Sequence, residues 1–295
     1  MTFIIMLVVI NINISKFNNI HMKIFYFIPI FFLLSCSPLK IVNELNTVKG
    51  LKGKVKMLEI TSSRFKINEE GTSEIKELKT QSTIILNDEN KISKQIDEYY
   101  NALNVINFNY ADNLLISTVS EINGRIDKTE YKYDTRGNII EYKDFENDTL
   151  KFYKTYKYDS RRNPVEIRSN FNISGEEEKS EILKNVYNYK DRTYSQYSIN
   201  NKYGSNGYFK TYYNKKGLEI KGESIDSENI IKRSVTYDYD LKGNLIKQIN
   251  YNQNQKATQI LNYKYIYDNN GNATMITEFS EGKMISLTNI KITYR

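Results

Sequence analysis

One phrase returns along this chain at nearly constant spacing. Tyr131-Lys132-Tyr133-Asp134-Thr135-Arg136-Gly137-Asn138 is followed by Tyr156-Lys157-Tyr158-Asp159-Ser160-Arg161-Arg162-Asn163, by Tyr237-Asp238-Tyr239-Asp240-Leu241-Lys242-Gly243-Asn244, and by Tyr265-Ile266-Tyr267-Asp268-Asn269-Asn270-Gly271-Asn272. Weaker copies put Lys190 and Asn214 at the aspartate position, and the steps between copies are then 25, 31, 24, 26 and 28 residues. A period of this size means one supersecondary unit copied along the chain. Two strands and two turns fill it.

The phrase itself supplies one turn. An aspartate can accept from its own backbone two residues on, and a glycine takes positive φ without steric cost. The expected turn residues are Asp134, Gly137, Asn138, Asp159, Asn163, Gly217, Asp240, Gly243, Asn244, Asp268, Gly271 and Asn272. The opposite turn varies: Asn123-Gly124 is a strong two-residue hairpin signal, while Ser174-Gly175 and Glu281-Gly282 are weaker. Alternation in a strand points Tyr131 and Tyr133 one way and Lys132 the other, and Tyr156/Tyr158 and Tyr237/Tyr239 repeat this. Six residues after the aspartate position comes Ile140, Val165, Ile220, Ile246 or Thr274, each β-branched and suited to a strand. No segment shows a 3.6-residue apolar period. Pro164 falls at a strand start, where its missing N–H costs least. The pattern predicts an all-β protein: an elongated, open antiparallel sheet of consecutive β-hairpins over residues 52–295. Tyrosine ladders would stabilise it by roughly 0.2–1 kcal/mol per cross-strand pair.

The N-terminal residues read as an address. Met22-Lys23 gives a start and a positive flank, Ile24 to Leu34 is an apolar run of signal-peptide length, and Leu33-Leu34-Ser35-Cys36 closes it. Residues 1–36 are therefore expected to be a signal segment, with translation starting at Met22 as one reading of the poorly fitting residues 1–21. Residues 37–51 form a tether. The segment ending at Leu33-Leu34-Ser35-Cys36 resembles the lipobox of bacterial lipoproteins. That resemblance implies cleavage before Cys36, acylation of its thiol and attachment to a membrane. It places the chain in the bacterial cell envelope, as an outer-membrane lipoprotein facing the periplasm or the outside. The charge of +7 falls to +5 when Lys16 and Lys23 leave with the signal.

Tyr-x-Tyr-Asp-x-x-Gly-Asn is similar to the YD repeats of the RHS family, and the likeness runs from about Phe108 to the C-terminus. Leu51-Lys52-Gly53-Lys54-Val55-Lys56 also looks like the opening of small repeat lipoproteins of Bacteroidota. The resemblance implies β-hairpins spiralling into a continuous sheet. The toxin role of large members is not carried over, because the sequence ends in a repeat.

Composition limits the chemistry. After Cys36 there is no Cys, His or Trp, so Ser-His-Asp triads, Cys-His pairs and zinc sites built on Cys or His are excluded. The repeated aspartates read as turn formers rather than catalytic or calcium-binding carboxylates, since a turn is needed in every copy and an active site once. Lysines are interleaved with acids, which argues against nucleic acid as a partner. The leading expectation is a non-catalytic binding or scaffold lipoprotein that needs no cofactor and no metal. Its binding face would be formed by Tyr131, Tyr133, Tyr156, Tyr158, Tyr237, Tyr239, Tyr265 and Tyr267, with a glycan or an envelope protein as partner. Two alternatives stand beside it: a carboxylate-based enzyme acting on polysaccharide, with two acids facing one cleft, and an accessory or immunity protein of an RHS-type interbacterial system.

Overall fold

A computed structural model describes residues 50–67, 73–99, 102–171, 179–199 and 207–295. Cys36, the signal segment and most of the tether lie outside the described residues. Among the described residues every regular element is a strand: β1 (Val55–Ile67), β2 (Ser73–Leu86), β3 (Ile92–Tyr99), β4 (Ala102–Ala111), β5 (Leu114–Ile122), β6 (Arg125–Tyr133), β7 (Ile139–Glu146), β8 (Thr149–Tyr158) and β9 (Pro164–Phe171). The second half holds β10 (Lys179–Asn188), β11 (Thr193–Ile199), β12 (Tyr208–Tyr213), β13 (Glu219–Ile225), β14 (Ile231–Tyr239), β15 (Leu245–Tyr251), β16 (Ala257–Tyr267), β17 (Ala273–Ser280) and β18 (Lys283–Tyr294).

Each strand pairs antiparallel with its successor, and β18 pairs antiparallel with β1. The register at the seam runs from Leu58↔Ile292 through Ile60↔Ile290 to Ser62↔Thr288. The sheet is therefore a closed 18-stranded up-and-down barrel, not the open sheet expected from the repeats. Closure has two physical causes. An open sheet leaves two rows of unpaired backbone groups, and joining them removes both edges. The seam is also the most apolar part of the molecule: Val55, Leu58, Ile60, Leu86, Ile92 and Ile290 are buried there, with Phe108, Ile276 and Tyr294 packed against them.

Curvature comes from bulges. The register slips by one residue just past the motif turns, at Lys132/Tyr133, Lys157/Tyr158, Tyr212/Tyr213, Asp238/Tyr239 and Ile266/Tyr267. The residues left over are Ile140, Val165, Ile220, Ile246 and Thr274, so the β-branched position of the repeat is a bulge position. Each bulge bends its strand and increases the local twist, and repetition turns a ribbon into a cylinder.

The motif turn is a three-residue hairpin loop. Asp134 N–H donates to the Asn138 carbonyl (2.9 Å), Gly137 N–H donates to the Asp134 carbonyl (2.9 Å), and Gly137 sits at φ 79°. This is a type I turn closed by a left-handed residue. The Asp134 carboxylate locks it, accepting from the Arg136 amide (2.9 Å), the Asn138 amide (2.8 Å) and the Asn138 side chain (2.7 Å). Asp159, Asn214, Asp240 and Asp268 close their turns through the same backbone pair. Strand direction puts all these turns on one rim, together with the start of β1 and the end of β18. Lys52 N–H donates to Asn272 there (2.7 Å), and Arg295 N–H donates to the Lys54 carbonyl (2.9 Å).

Candidate ligand-binding lumen

Cross-strand partners share a face, so the register sorts every strand residue into inward or outward. Outward positions carry paired charges. Glu141 meets Lys132 (3.1 Å) and Lys143 (2.9 Å), and Glu166 meets Lys157 (2.9 Å) and Arg168 (2.7 Å). A membrane-spanning barrel needs an outward apolar band about 25 Å tall, and a Lys or Arg at the bilayer midplane costs roughly 2–4 kcal/mol. Lys132 and Lys157 lie beside the motif rim, and the pair Lys128–Glu130 (2.6 Å) carries charge to mid-height on β6, where the outer wall alternates such pairs with exposed residues such as Ile126 and Val186.

Inward positions carry the aromatics. Tyr131, Tyr133, Tyr156, Tyr158, Tyr237, Tyr239, Tyr265 and Tyr267 are all half-buried, while their neighbours Lys132, Lys157, Asp238 and Ile266 are exposed. The tyrosines thus line the inside of a tube rather than an uncovered concave face. Several spend their hydroxyls on the wall itself. Tyr133 donates to the Leu115 carbonyl (2.6 Å), Tyr158 to Ile139 (2.6 Å) and Tyr265 to Leu245 (2.8 Å), each reaching the strand that follows the previous turn. Tyr189 donates to the Asp159 carboxylate (2.5 Å), and Tyr294 donates to that of Asp268. Asn163 and Asn272 donate to these same hydroxyls, and Asn244 donates to Tyr267. The motif asparagines Asn138, Asn163, Asn244 and Asn272 are all buried. Asp, Asn and Tyr of the phrase therefore form one tie between neighbouring repeats, with Gly137, Gly217, Gly243 and Gly271 supplying the positive φ.

A second aromatic row, which shares Tyr131, runs across the same inner face. Tyr131 meets Tyr142 edge-on (centroids 5.4 Å), Tyr142 meets Phe152 (5.9 Å) and Phe152 meets Phe171 (4.7 Å). It crosses four strands, β6 to β9. Beside it lies a group of carboxyls that the repeat pattern does not mark. Asp144 alternates with Tyr142 on β7, and Asp127 and Glu146 are direct cross-strand partners. Arg125 pairs with Asp127 (2.7 Å) and Glu146 (3.6 Å). Asp144 is 2% exposed, and its Oδ1 has no hydrogen-bond partner. Burial first, then the negative charges of Asp127 and Glu146, push its pKa up to about 7 against the pull of Arg125. Burial alone pushes Glu219 up to about 7. Asp97 is also raised by burial, although Ser82 (2.5 Å) and Gln95 (2.9 Å) donate to it. The sequence signal for these acids was faint: each is a carboxylate at an inward strand position that the repeat phrase does not mark.

Opposite walls stay apart. Among the described residues, only hydrogen-bonded neighbours and the pair β2/β18 flanking β1 bring Cα atoms within 8 Å. A circular section of 18 strands is roughly 27 Å across at the backbone before tilt widens it. Fold and site together define a closed, water-compatible antiparallel barrel with an aromatic and acidic lumen.

No protein-family model matches the chain, and a search of curated proteins finds no match. Among solved structures the fold is similar to a porin-like protein from Bacteroides uniformis (TM-score 0.40, 12% identity, 82% of this chain and 98% of that one). It is also similar to part of a TcdB2-TccC3-Cdc42 complex (TM-score 0.34, 11% identity, 77% of this chain and 14% of that one). A third likeness is to a Tc holotoxin pore from Photorhabdus luminescens (TM-score 0.30, 12% identity, 77% of this chain and 15% of that one). The chain spans about one seventh of each of the two toxin-complex chains.

Proposed function

We propose that this chain is a non-catalytic lipoprotein of the bacterial cell envelope, held at the outer membrane through Cys36, whose barrel binds a glycan in its lumen. The observation that carries the reading is the inward row Tyr131–Tyr142–Phe152–Phe171 set beside the carboxyls of Asp127, Asp144 and Glu146. Flat aromatic faces suit the apolar faces of sugar rings. Carboxylates and the neighbouring hydroxyls suit their hydroxyl groups, and paired charge-assisted bonds are the stronger kind. Acids on this wall favour neutral or amine-bearing sugars over uronic acids, since a second carboxylate would meet like charge. The charged outer wall supports anchoring by a lipid rather than insertion, and several acyl chains at about 0.8 kcal/mol per buried methylene hold a protein firmly.

Calorimetric titration with neutral, amino and uronic oligosaccharides tests this. Binding of the first two classes, weakened at least tenfold by Tyr142→Ala and by Phe152→Ala, is expected. No heat with any glycan, or binding indifferent to both substitutions, would overturn it. Mass spectrometry that finds Cys36 unacylated would remove the anchor.

The grouping of Asp127, Asp144 and Glu146 on one wall favours a second reading, a carboxylate-based hydrolase that works with these acids. It requires release of reducing ends from a bound polysaccharide, abolished by Asp144→Asn. Binding without turnover would dismiss it.

A further inference from the structure

The two rims of the barrel differ in charge. Five consecutive turns of the motif rim carry exposed bases at their tips: Arg136, Arg161, Arg192, Lys215, Lys216 and Lys242. Among the acids of these five turns, Asp134, Asp159 and Asp240 spend their carboxylates on their own turns, and exposed Asp191 sits between the exposed Lys190 and Arg192. The β2–β3 and β4–β5 turns of the same rim add exposed Asp88, Glu89 and Asp112, with Arg295 on Asp88 and Lys91 on Glu89, so the excess of bases belongs to the sector from β6 to β15. On the far rim the described turns carry Asp148, Glu228 and Glu281 against Lys256 and Lys283, while Asp226 is spent on its own turn and on Lys232 (2.8 Å).

Three further features belong to the motif rim. Leu241, at the tip of the β14–β15 turn, is 96% exposed. Behind the tips, Ile116, Ile140, Ile220, Ile246 and Ile266 stand 38–56% exposed at or beside the bulges that follow the turns. The described chain also begins and ends on this rim, where Lys52 is bound to Asn272. Exposed apolar residues occur on the far rim too, at Leu103, Ile126 and Ile230, so charge and the path of the chain choose between the rims.

We propose that the motif rim docks on an anionic phospholipid surface, with the basic turn tips on the headgroups and Leu241 in the interfacial layer. The lipid-anchored reading is needed here only to say which surface lies near; the charge and exposure of the rim stand without it. Bases near an anionic leaflet gain about 1 kcal/mol each, so removing one weakens partition about fivefold. Docking this rim would hold the barrel upright, with the acidic rim pointing away from the bilayer.

The chain contains no tryptophan, so one introduced residue reports its own surroundings. The acylated full chain would carry Leu241→Trp, or Ser227→Trp on the far rim as control. Each would be placed on vesicles of phosphatidylcholine alone or mixed with phosphatidylglycerol. The expected result is a blue shift at position 241, with quenching by brominated acyl chains, only where phosphatidylglycerol is present. Salt should reverse it, Lys215→Gln with Lys216→Gln should weaken it about 25-fold (two bases at fivefold each), and position 227 should stay silent. A vesicle-bound chain with identical emission from position 241 in both lipids overturns docking and leaves the anchor standing. A response at position 227 instead overturns it as well. A chain that leaves phosphatidylcholine but still binds phosphatidylglycerol through position 241 supports docking and refutes the anchor. A chain bound to neither refutes both.

Discussion

Arg162 stands where the other motif turns place glycine, and it holds φ 68° there. Its amide still donates to the Asp159 carbonyl (3.1 Å), as Gly137 does in the neighbouring turn. The hydrogen bond therefore survives the substitution while the backbone strain remains. A non-glycine residue in this region costs about 1–2 kcal/mol, and glycine gives back some of that through the freedom of its unfolded chain. Arg162→Gly should stabilise the barrel by about 0.5–1 kcal/mol, read as a shift of the urea midpoint without a change in slope. The turn chemistry was legible in the sequence because it is local: an aspartate, a glycine three residues on and an asparagine next. The same chemistry at Asp226 and Asn252 on the far rim escaped notice. There Asn229 (φ 61°) and Gln255 (φ 56°) occupy the glycine position; asparagine tolerates left-handed backbone but is common throughout this chain, and glutamine carries no such signal.

At the scale of the element, tyrosine hydroxyls tie the hairpin repeat to its neighbour. The bonds from Tyr133, Tyr158 and Tyr265 to carbonyls one repeat back are part-buried and short. A net hydrogen bond of this type is worth about 0.5–1.5 kcal/mol. Tyr133→Phe, Tyr158→Phe and Tyr265→Phe should each cost about that much. Tyr133→Phe combined with Tyr265→Phe should add within about 0.5 kcal/mol, because the two bonds share no partner. Equilibrium denaturation of the two singles and the double checks this. Strand facing was readable from alternation, which is why Tyr131 and Lys132 could be assigned to opposite faces. The bulges were not readable. Ile140 or Ile246 looks like any strand residue, and only pairing with a partner shows it to be surplus. Without the bulges the accumulated bend is invisible, and a curved ribbon and a cylinder have the same spelling. The seam gave no local signal either, since β1 and β18 are the two ends of the chain. The lumen acids Asp144 and Glu219 could be placed only once inside and outside had been distinguished.

The whole molecule holds two populations of carboxyls with opposite effects on stability. For the turn aspartates Asp134, Asp159 and Asp268, burial pushes upward, but donated hydrogen bonds outweigh it and their pKa values lie below the ordinary one. Their contribution is present above the unfolded pKa and is lost as pH falls through the folded one. Asp144 and Glu219 act the other way. Between their ordinary values of 3.8 and 4.5 and about 7, the folded barrel keeps protons that the unfolded chain releases, so stability falls as pH rises. The melting temperature should therefore peak at about pH 4–5 and decline toward neutrality. Asp144→Asn with Glu219→Gln should flatten that decline. A wild-type melting curve unchanged from mild acid to neutrality would contradict the burial of these two groups.

The bond between Ser62 and Thr288 joins residues 226 apart in sequence. A ribosome releases the first of these long before the second exists. Until β18 (Lys283–Tyr294) has been made, the nascent meander must carry β1 without its second neighbour, and only the arrival of that strand lets the ring lock. A chain cut before β18 would be left with two adhesive margins instead of none.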